Sequence, residues 1–530
     1  MTSTGQTRLP GAAGSRGAAL ILLTALVCGA AAGPAAAQCE VTRLLLPAPG
    51  GDPDFGLAVA LQDGTAVVGN ASYLFGGAPS WVYELLPEGW SQQPSPLAPD
   101  GLTQHYSTSV SISGDTIVVS AQDDADADVL AYVFERSGGV WAKSAKLKVA
   151  ASTYLIGGSV SVAIEGDTVL LAGSFDANAF LFERAGGVWS QTQQLVPTAP
   201  GGVVHFGESA SLHDGRAIVG GCTADAGLPC VGTAWIFEPQ GGNYVQTAQL
   251  LPAGGAQGDY AGSVLAQSDD TIVLGAPGHD LGFSGQGIGA AFVFELSGGS
   301  WTQTAFLTAP NPKFGDDFGQ ALALQGDALL IGAPRRDDAL LDAGAVYVHH
   351  RSGSAWTTTA VLHATEPVLS GRFGRALALD DDTLLVGSPS TASWPEQGAY
   401  IVRGAPGLDS WTPVWGAVAG STGTPCSSGH LTPAVGGDAS LSLTGALPFA
   451  PAWLVIGLDR INLPFKGGVL VPAPDLLLPF VVDGAGGHAF AWTWPGGLPT
   501  GSKLWIQYWI VDLGAPVGLS ASNGVGVTLP

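Results

Sequence analysis

Apolar and polar residues alternate along the chain in short segments that end at Gly, Asp or Pro, a pattern that predicts strands rather than helices. A tight polar turn followed by a short apolar run, often β-branched, recurs seven times at a period of about 53 residues, which is typical of propellers, solenoids and arrays. The seven copies are Asp63–Gly69, Gly114–Val119, Gly166–Leu171, Asp214–Gly220, Asp269–Gly275, Gly326–Gly332 and Asp381–Gly387.

A second repeated feature lies downstream of each turn, where a strand such as Ala131–Glu135 is followed by a Gly-rich hairpin and an aromatic residue. The aromatic residues are Trp90, Trp141, Trp189, Tyr244, Trp301, Trp356 and Trp411. Each unit is therefore predicted to contain four short strands. Seven such units favour an all-β, seven-bladed β-propeller, whose radial repetition leaves only short, protected sheet edges. A linear β-solenoid is the structural alternative.

Two short motifs recur in the repeats: a Phe-Gly dipeptide near the start of strand one and a Gly-Ala-Pro tripeptide at the end of strand two. They are clearest as Phe318-Gly319 with Gly332-Ala333-Pro334, and fainter at Phe55-Gly56, Phe206-Gly207, Gly275-Ala276-Pro277, and Phe373-Gly374 with Gly387-Ser388-Pro389. On these residues the chain resembles the FG-GAP repeats of the integrin α-subunit propeller and, more closely, bacterial secreted relatives of it. The resemblance covers about residues 40–415 and implies the same propeller fold. Repeats 2 and 3 depart from it, with Tyr106-Ser107 and Ile156-Gly157 in the first position.

The calcium loops of the integrin-type repeat are not matched here. That repeat holds calcium in a D-x-D-x-D-G loop, because closely spaced carboxylates and carbonyls supply the oxygen ligands that Ca²⁺ requires. The corresponding connection in this chain is the short Gly-Asp-Thr turn, so neither calcium nor another cofactor is expected there. The comparable spacing is Asp124, Asp126 and Asp128, which is either a weak metal site or a solvated acidic loop.

The N-terminal residues predict export. Arg8 and Arg16 precede a short apolar run, Ala18 to Val27, and small residues ending in Ala35-Ala36-Ala37 follow it, as in a secretory signal peptide over residues 1–37. A membrane anchor is the alternative, but the run is too short for a transmembrane span, and no second long apolar segment follows it. Four cysteines remain after residue 37, and an oxidising compartment favours two disulfides, Cys222 with Cys230 and Cys39 with Cys426. Free thiols are the alternative.

The domain organisation follows from where the repeats stop. The propeller is predicted over residues 38–415, a Gly-, Ser- and Pro-rich linker over 416–437, and a small β-sandwich over 438–530. Two segments compete for the outer strand of blade 7. We expect the N-terminal segment Val41 to Leu46 to close the ring, and Trp411 to Val414 is its rival.

Composition narrows the function classes. Of 530 residues 46% are apolar and 15 are Trp, so the chain has ample material for a core. The net charge of −24 repels phosphate and disfavours a nucleic-acid partner. No metalloprotease, phosphate-loop or nucleophile-elbow motif is present. The Trp residues of the last domain are predicted to pack in its core, with sugar binding as the alternative: Trp453, Trp492, Trp494, Trp505 and Trp509.

Candidate binding residues lie on one predicted rim. The connections between strands two and three and between strands four and one share a face and vary among repeats, which favours recognition on a rigid scaffold. The ligand-binding candidates there are Asp316, Asp317, Arg335, Arg336 and His279. His105 and His205 share the same predicted rim, so a metal or proton-transfer cluster with His279 is a second interpretation, and isolated surface histidines a third.

The sequence thus predicts a secreted, monomeric, non-enzymatic propeller that binds an extracellular protein or glycan, as in adhesion. An extracellular carbohydrate-active enzyme, either a lyase or a glycosidase, and a structural envelope component are the alternatives.

Overall fold

A computed structural model describes the chain, and every regular element in its described residues is a strand. The described residues are 41–45, 54–70, 79–86, 89–100, 103–104, 106–123, 128–149, 160–174, 178–198, 203–223, 230–279, 287–338, 340–364, 367–380, 383–390, 398–403, 411–414, 426–431, 438–444, 446–457, 460–465, 468–472, 476–493, 503–513, 519–521 and 524–528. Contacts between Cα atoms divide the chain into Glu40–Gly407 and a second unit that contains Leu408–Pro530.

The first unit contains seven antiparallel sheets, which are the predicted blades. Its strands are β1 Val41–Leu44; β2 Phe55–Gln62, β3 Thr65–Asn70, β4 Trp81–Leu86 and β5 Gly89–Gln92 in blade 1; β6 Thr103–Gln104, β7 Val110–Ser113, β8 Thr116–Asp123, β9 Val129–Ser137 and β10 Val140–Val149 in blade 2; β11 Val160–Glu165, β12 Thr168–Gly173, β13 Asn178–Ala185 and β14 Val188–Leu195 in blade 3; β15 Val203–His213, β16 Arg216–Thr223, β17 Thr233–Gln240 and β18 Asn243–Leu250 in blade 4; β19 Val264–Gln267, β20 Thr271–Ala276, β21 Ala290–Ser297 and β22 Ser300–Leu307 in blade 5; β23 Ala321–Gln325, β24 Ala328–Ala333, β25 Ala345–Ser352 and β26 Ala355–Leu362 in blade 6; and β27 Ala376–Asp380, β28 Thr383–Ser388 and β29 Gly398–Arg403 in blade 7.

The blades form a closed ring. Their innermost strands contact one another in the cycle β2, β7, β11, β15, β19, β23, β27 and back to β2. The second strands carry the core: β20, β24 and β28 are buried along their whole length. A blade sheet is therefore covered on both faces by its neighbours, which the four-strand repeat predicted.

The N-terminal strand closes blade 7, as expected. β1 pairs antiparallel with β29, with Val41 opposite Val402, and so occupies the open edge of that sheet. The rival segment is β30, Trp411–Val414, which pairs instead with the strand Gly524–Thr528 of the second unit. Trp411 therefore does not supply the aromatic position of blade 7, because one sheet edge accepts one neighbouring strand.

The Phe-Gly and Gly-Ala-Pro motifs meet between blades. A Cβ on Gly275 would lie 2.2 Å from the carbonyl oxygen of Gly319 in the next blade, so only glycine fits there. The same contact closes the ring, since a Cβ on Gly387 of blade 7 would lie 2.0 Å from the oxygen of Gly56 in blade 1. Ser107 occupies the motif's glycine position in blade 2 and adopts the same left-handed backbone, with φ of 67°.

In four blades the residue at the motif's aromatic position packs on an aromatic residue of the blade's own third strand. Phe318 is fully buried and packs edge-to-face on Tyr347, with ring centroids 5.3 Å apart. The equivalent pairs are Phe206 with Trp235, Phe373 with Tyr400, and Tyr106 with Tyr132 in the divergent blade 2. Tyr106 therefore fills the place of the missing phenylalanine.

The second unit contains strands in three further sheets. After β30 they are β31 Cys426–Leu431, β32 Asp438–Thr444, β33 Pro451–Gly457, β34 Arg460–Phe465, β35 Gly468–Pro472, β36 Leu476–Val481, β37 His488–Thr493, β38 Lys503–Val511, β39 Leu519–Ala521 and β40 Gly524–Thr528. Strand β31 pairs with β32, so residues 426–431 of the predicted linker belong to a sheet. Leu441 of β32 shares one hydrophobic cluster with Leu454 of β33 and Tyr508 of β38, which joins two of the sheets.

Candidate functional site

The two faces of the propeller differ in their connections. We call the face with the connections between strands two and three and between strands four and one the loop face, and the opposite face the turn face. On the turn face the hairpins are two-residue turns such as Gly326-Asp327. The longer connections that carry all the predicted ligand-binding residues lie on the loop face.

On the loop face, backbone hydrogen bonds join neighbouring blades. The connection between strands two and three of one blade is hydrogen-bonded to the connection that leads into strand one of the next blade. For example, the Gly315 N–H donates to the Gly287 carbonyl oxygen at 3.0 Å. Between blades 6 and 7 a bond of the same kind runs from Phe373 N–H to Ala343 O at 3.0 Å. Parallel bridges at Gly232–Ala261, Gly289–Phe318 and Gly344–Phe373 complete the pattern. From blade 4 to blade 7 the loops are therefore one connected layer.

Two buried pairs brace this layer at equivalent positions. Arg336 donates to Asp316 Oδ2 at 2.8 Å in blade 6, and both side chains are more than nine-tenths buried. In blade 5, His279 Nδ1 lies 2.8 Å from Asp259 Oδ2, again with both side chains buried. Each Asp also accepts the backbone N–H three residues before it, from Lys313 and Ala256 respectively.

The predicted ligand residues thus separate into internal and accessible ones. Asp316, Arg336 and His279 lie inside the loop layer, where they brace loops and do not face a surface ligand. Ion pairing with Asp338 and Asp316 outweighs the opposing effect of burial and holds the pKa of Arg336 above its usual value. Arg335 and Asp317 remain accessible and form an ion pair at 3.2 Å. The partner of His279, Asp259, was not predicted, although its spacing from His279 equals that of Asp316 from Arg336.

A row of strained residues follows the inner rim of the loop face. The residue before the motif's aromatic position has a left-handed backbone in four blades, at His205, Tyr260, Asp317 and Arg372, with φ between 51° and 56°. Such a conformation is costly for residues other than glycine and persists where the surroundings enforce it.

The rim surrounds an axial cavity of about 180 Å³. The cavity is lined by residues of five blades at or just before the start of the innermost strands, including Thr108, Gln320 and Arg375. Gln320 and Arg375 occupy the same position, two residues after the motif aromatic, in blades 6 and 7. Glu208 occupies it in blade 4, and burial raises the pKa of its carboxyl group.

Large apolar side chains are exposed on three neighbouring loops of blades 6 and 7. They are Phe314, Leu340, Leu341 and Leu369, with exposed fractions of 52, 45, 60 and 55%. The loops contact one another: Ser370 N–H donates to Leu341 O at 2.9 Å, and Lys313 Nζ lies 3.1 Å from Asp338. We call these four side chains the apolar patch.

The turn face carries a repeated side-chain motif that the sequence reading missed. An arginine near the end of strand three lies over the Trp of its own blade and bonds the Asp of its own turn, as Arg351 does with Trp356 and Asp327. The same guanidinium reaches Glu295 of the preceding blade at 3.3 Å. Arg136 and Arg184 repeat the arrangement toward Glu84 and Glu135. In the sequence, this motif is visible as an arginine that recurs five residues before the Trp. In the structure, the arginine joins its own blade to the preceding one.

The proposed histidine cluster finds no support in the described residues. His205 is exposed on the rim, His279 is buried against Asp259, and His105 lies outside the described residues. The part of the chain that the structure describes contains no group of three or more His, Cys, Asp or Glu side chains placed to hold a metal. Asp128 is buried and pairs with Lys148 at 2.6 Å, whereas Asp124 and Asp126 lie outside the described residues.

The cysteine and tryptophan predictions are resolved in part. Cys222 and Cys230 form a disulfide in blade 4, as predicted. The pairing of Cys39 with Cys426 and the segment 1–37 fall outside what the structure describes. Trp509 is buried in the second unit, as core packing predicts, whereas Trp453 is 39% exposed. The side chains of Trp492, Trp494 and Trp505 are outside the described set.

Within the described residues, no helix has the length and apolar character that a bilayer crossing requires.

Part of the chain matches a known protein family. The family model described as FG-GAP repeat matches residues 90–134, 244–294 and 301–349. Each match begins at the strand-four aromatic of one blade and ends in strand three of the next, so it spans the contact between blades. None of the curated proteins is significantly similar.

Similar solved structures share little sequence with the chain. A protein from Lactobacillus plantarum is 14% identical with a TM-score of 0.44, over 62% of this chain and 89% of that one. A putative 6-phosphogluconolactonase from Bacteroides uniformis is 11% identical with a TM-score of 0.38, over 59 and 85%. The β-propeller domain of the Trilobed protease from Pyrococcus furiosus is 8% identical with a TM-score of 0.36, over 65 and 94%. The family match over these residues and the ring of seven antiparallel sheets together show that Glu40–Gly407 forms a β-propeller that contains FG-GAP repeats.

Proposed function

We propose that the chain is a secreted binding module whose loop face docks an extracellular protein. The observation that carries this function is the apolar patch, because soluble proteins rarely group large exposed apolar side chains without an interaction to cover them. Its members are Phe and Leu beside the charged Lys313 and Arg335, a composition that suits the apolar centre and polar rim of a protein interface.

The scaffold supports this role. The loops that carry the patch are joined through backbone bonds, so little conformational entropy is lost when a partner is bound. The N-terminal segment typical of a signal peptide and the Cys222–Cys230 disulfide agree with an oxidising, extracellular compartment. A glycan partner is less compatible with this patch, since three of its four members are leucines rather than aromatic platforms for a sugar ring.

The enzyme hypothesis requires an acid and a base that converge on the loop face. The Asp259–His279 pair has the right groups, but both side chains are buried within the loop layer. Binding is therefore the function that the geometry supports best.

The test is a screen of the purified full chain against arrays of extracellular proteins and glycans, with and without Ca²⁺. The double variant Phe314→Ser, Leu341→Ser removes the centre of the patch, and Val188→Ser on the turn face is the matched control because Val188 is 68% exposed. We expect protein ligands bound by the wild type and by Val188→Ser to lose at least about tenfold in affinity with the double variant. Hits confined to glycans, or equal binding by the double variant, would contradict the proposal.

A further inference from the structure

The six-stranded sheet of the second unit is apolar on both sides. Strands β33 and β36 are paired in it, with Trp453 opposite Pro479 and Pro451 opposite Val481. One side of this strand pair packs into the hydrophobic cluster around Leu454. Alternate residues of a strand point to opposite sides. We call the residues on the other side the open face: Pro451, Trp453, Leu477, Pro479 and Val481.

The open face is accessible and continues past the ends of its strands. Trp453, Leu477 and Val481 are 39, 52 and 61% exposed. Phe449 precedes β33 and Leu513 follows β38, at the same end of the sheet, and they are 73 and 88% exposed. The Phe449 N–H donates to the Val482 carbonyl oxygen at 3.1 Å, which fixes this residue beside the end of β36.

The exposed positions of the open face differ from those of other surface strands. Strand β14 of the propeller, for example, exposes Ser190, Gln191 and Thr192. In β33 and β36, by contrast, no side chain is charged, and the Trp453 indole is the one side chain with a hydrogen-bonding group. A site for a small ligand such as a sugar needs several placed polar groups. The composition therefore favours a protein surface as the occupant.

The edge of the sheet is a poor place for a further strand to pair. Strand β36 is the last strand of its sheet in the described residues, and Pro479 lies in the middle of it. Proline has no N–H to donate, and proline on an edge strand is one of the means by which proteins discourage pairing with another chain. A partner is therefore expected on the open face and not along the edge.

Composition, size and charge all favour a second copy of this chain as that partner. Transient interfaces between unlike proteins are only about as apolar as the rest of the surface, whereas homodimer interfaces are more apolar. Large side chains present roughly 150 to 250 Å² each when fully exposed, so the five exposed fractions leave about 600 Å² open, and the two prolines add to it. A standard interface buries about 800 Å² per partner. Because the open face is uncharged, two copies with a net charge of −24 each would bring no like charges into contact there.

We propose that the open face joins two copies of this chain into a twofold dimer, face against face. In such a dimer the same residues serve both copies. Trp453 is the expected anchor, since large aromatic side chains dominate the binding energy of interfaces. The dimer replaces the monomer that the sequence predicts. It is separate from the apolar patch of the propeller and does not rest on protein docking there.

The test is sedimentation velocity of the purified full chain from roughly 0.1 to 100 µM, at low and high salt, which covers the affinities expected of an interface of this size. Leu477→Thr, Val481→Thr makes the open face polar and keeps β-branched residues that suit strands. Val481→Thr alone is the milder variant. The matched control is Val140→Thr, Val188→Thr on the turn face of the propeller, where these side chains are 57 and 68% exposed.

We expect a reversible dimer of the wild type and of the control. The double variant of the open face should dimerise at least about tenfold more weakly, and Val481→Thr by a smaller factor. High salt should preserve or strengthen the dimer, because it screens the net charge of the two copies and the interface contains no ion pair. Circular dichroism spectra like that of the wild type show that the variants are folded.

Three results would overturn the proposal: a wild type that stays monomeric over the whole range, folded variants of the open face that dimerise like the wild type, or a dimer that dissociates in high salt. The Phe314→Ser, Leu341→Ser variant separates the dimer from docking on the loop face. We expect this variant to dimerise like the wild type. Loss of its dimer would assign self-association to the apolar patch and would also refute the open face.

Discussion

The two faces of the propeller join the same blades by different chemistry. On the turn face the links are side chains: Arg351 bridges Asp327 of its own blade and Glu295 of the preceding one while lying over Trp356. On the loop face the links are backbone bonds, such as Gly315 N–H to Gly287 O. A side-chain link requires the same residues in each repeat, whereas a backbone link leaves side chains free to vary. The loop face can therefore carry recognition without loss of the ring.

The largest expected effect tests the backbone link directly. Gly289 has φ of 79°, and a Cβ there would lie 2.0 Å from the oxygen of Phe318 in the next blade. Gly289→Ala should lower the free energy of unfolding by more than about 4 kcal/mol, because the blade contact must open. Gly298→Ala on the turn face of the same blade meets nothing within 4 Å and should cost only about 1 kcal/mol. Denaturant unfolding of both variants measures this, and similar losses would refute the backbone account.

Arg336 tests the brace beneath the loop layer. Arg336→Met leaves Asp316 buried without its cation and should destabilise the protein by about 3 to 5 kcal/mol. The adjacent Arg335→Met removes an accessible ion pair and should cost less than about 1 kcal/mol. Unfolding midpoints of the two variants are compared, and equal costs would show that the Asp316–Arg336 pair is not a brace.

His349 lies in the half of the third strand of blade 6 that is nearer the turn face, and we expect it to make the protein less stable in acid. The equivalent positions of four other blades hold phenylalanine: Phe134, Phe182, Phe237 and Phe294. Burial of the His349 imidazole lowers its pKa to about 4. Since the unfolded chain binds the proton near pH 6.5, stability is lost as pH falls from about 6.5 to 4, by about 3 kcal/mol in total. His349→Phe should remove this loss. Unfolding at pH 7 and pH 4.5 decides the matter, and a pH dependence that persists in His349→Phe would point to another group.

The smallest expected effect concerns a single turn-face link. Arg351→Met removes partly exposed bridges and one cation–π contact, which should cost about 1 kcal/mol. A double-mutant cycle with Glu295→Gln at low and high salt measures the contact between blades. Coupling that does not fall with salt would show that the bridge to Glu295 is not electrostatic.

The repeats made much of the fold predictable. The period, the Gly-Asp turns and the motif at Phe318-Gly319 together indicated seven four-stranded blades and the N-terminal closure, because each repeat must satisfy the same local packing. The candidate site was less predictable. Asp316 and Arg336 were selected as charged loop residues, but charge alone does not distinguish a surface ligand contact from a buried pair.

The amino-acid sequence by itself determined the blade number, the strand order and the face on which the connections vary, since these depend on local patterns that recur. Only the tertiary structure decided which side chains are buried, that Asp259 pairs with His279, and that Gln320 and Arg375 both line the axial cavity. The members of each pair come from different connections of the chain, and the packing of loops and consecutive blades brings them together. That juxtaposition depends on the exact path of backbones between blades, which no local pattern encodes.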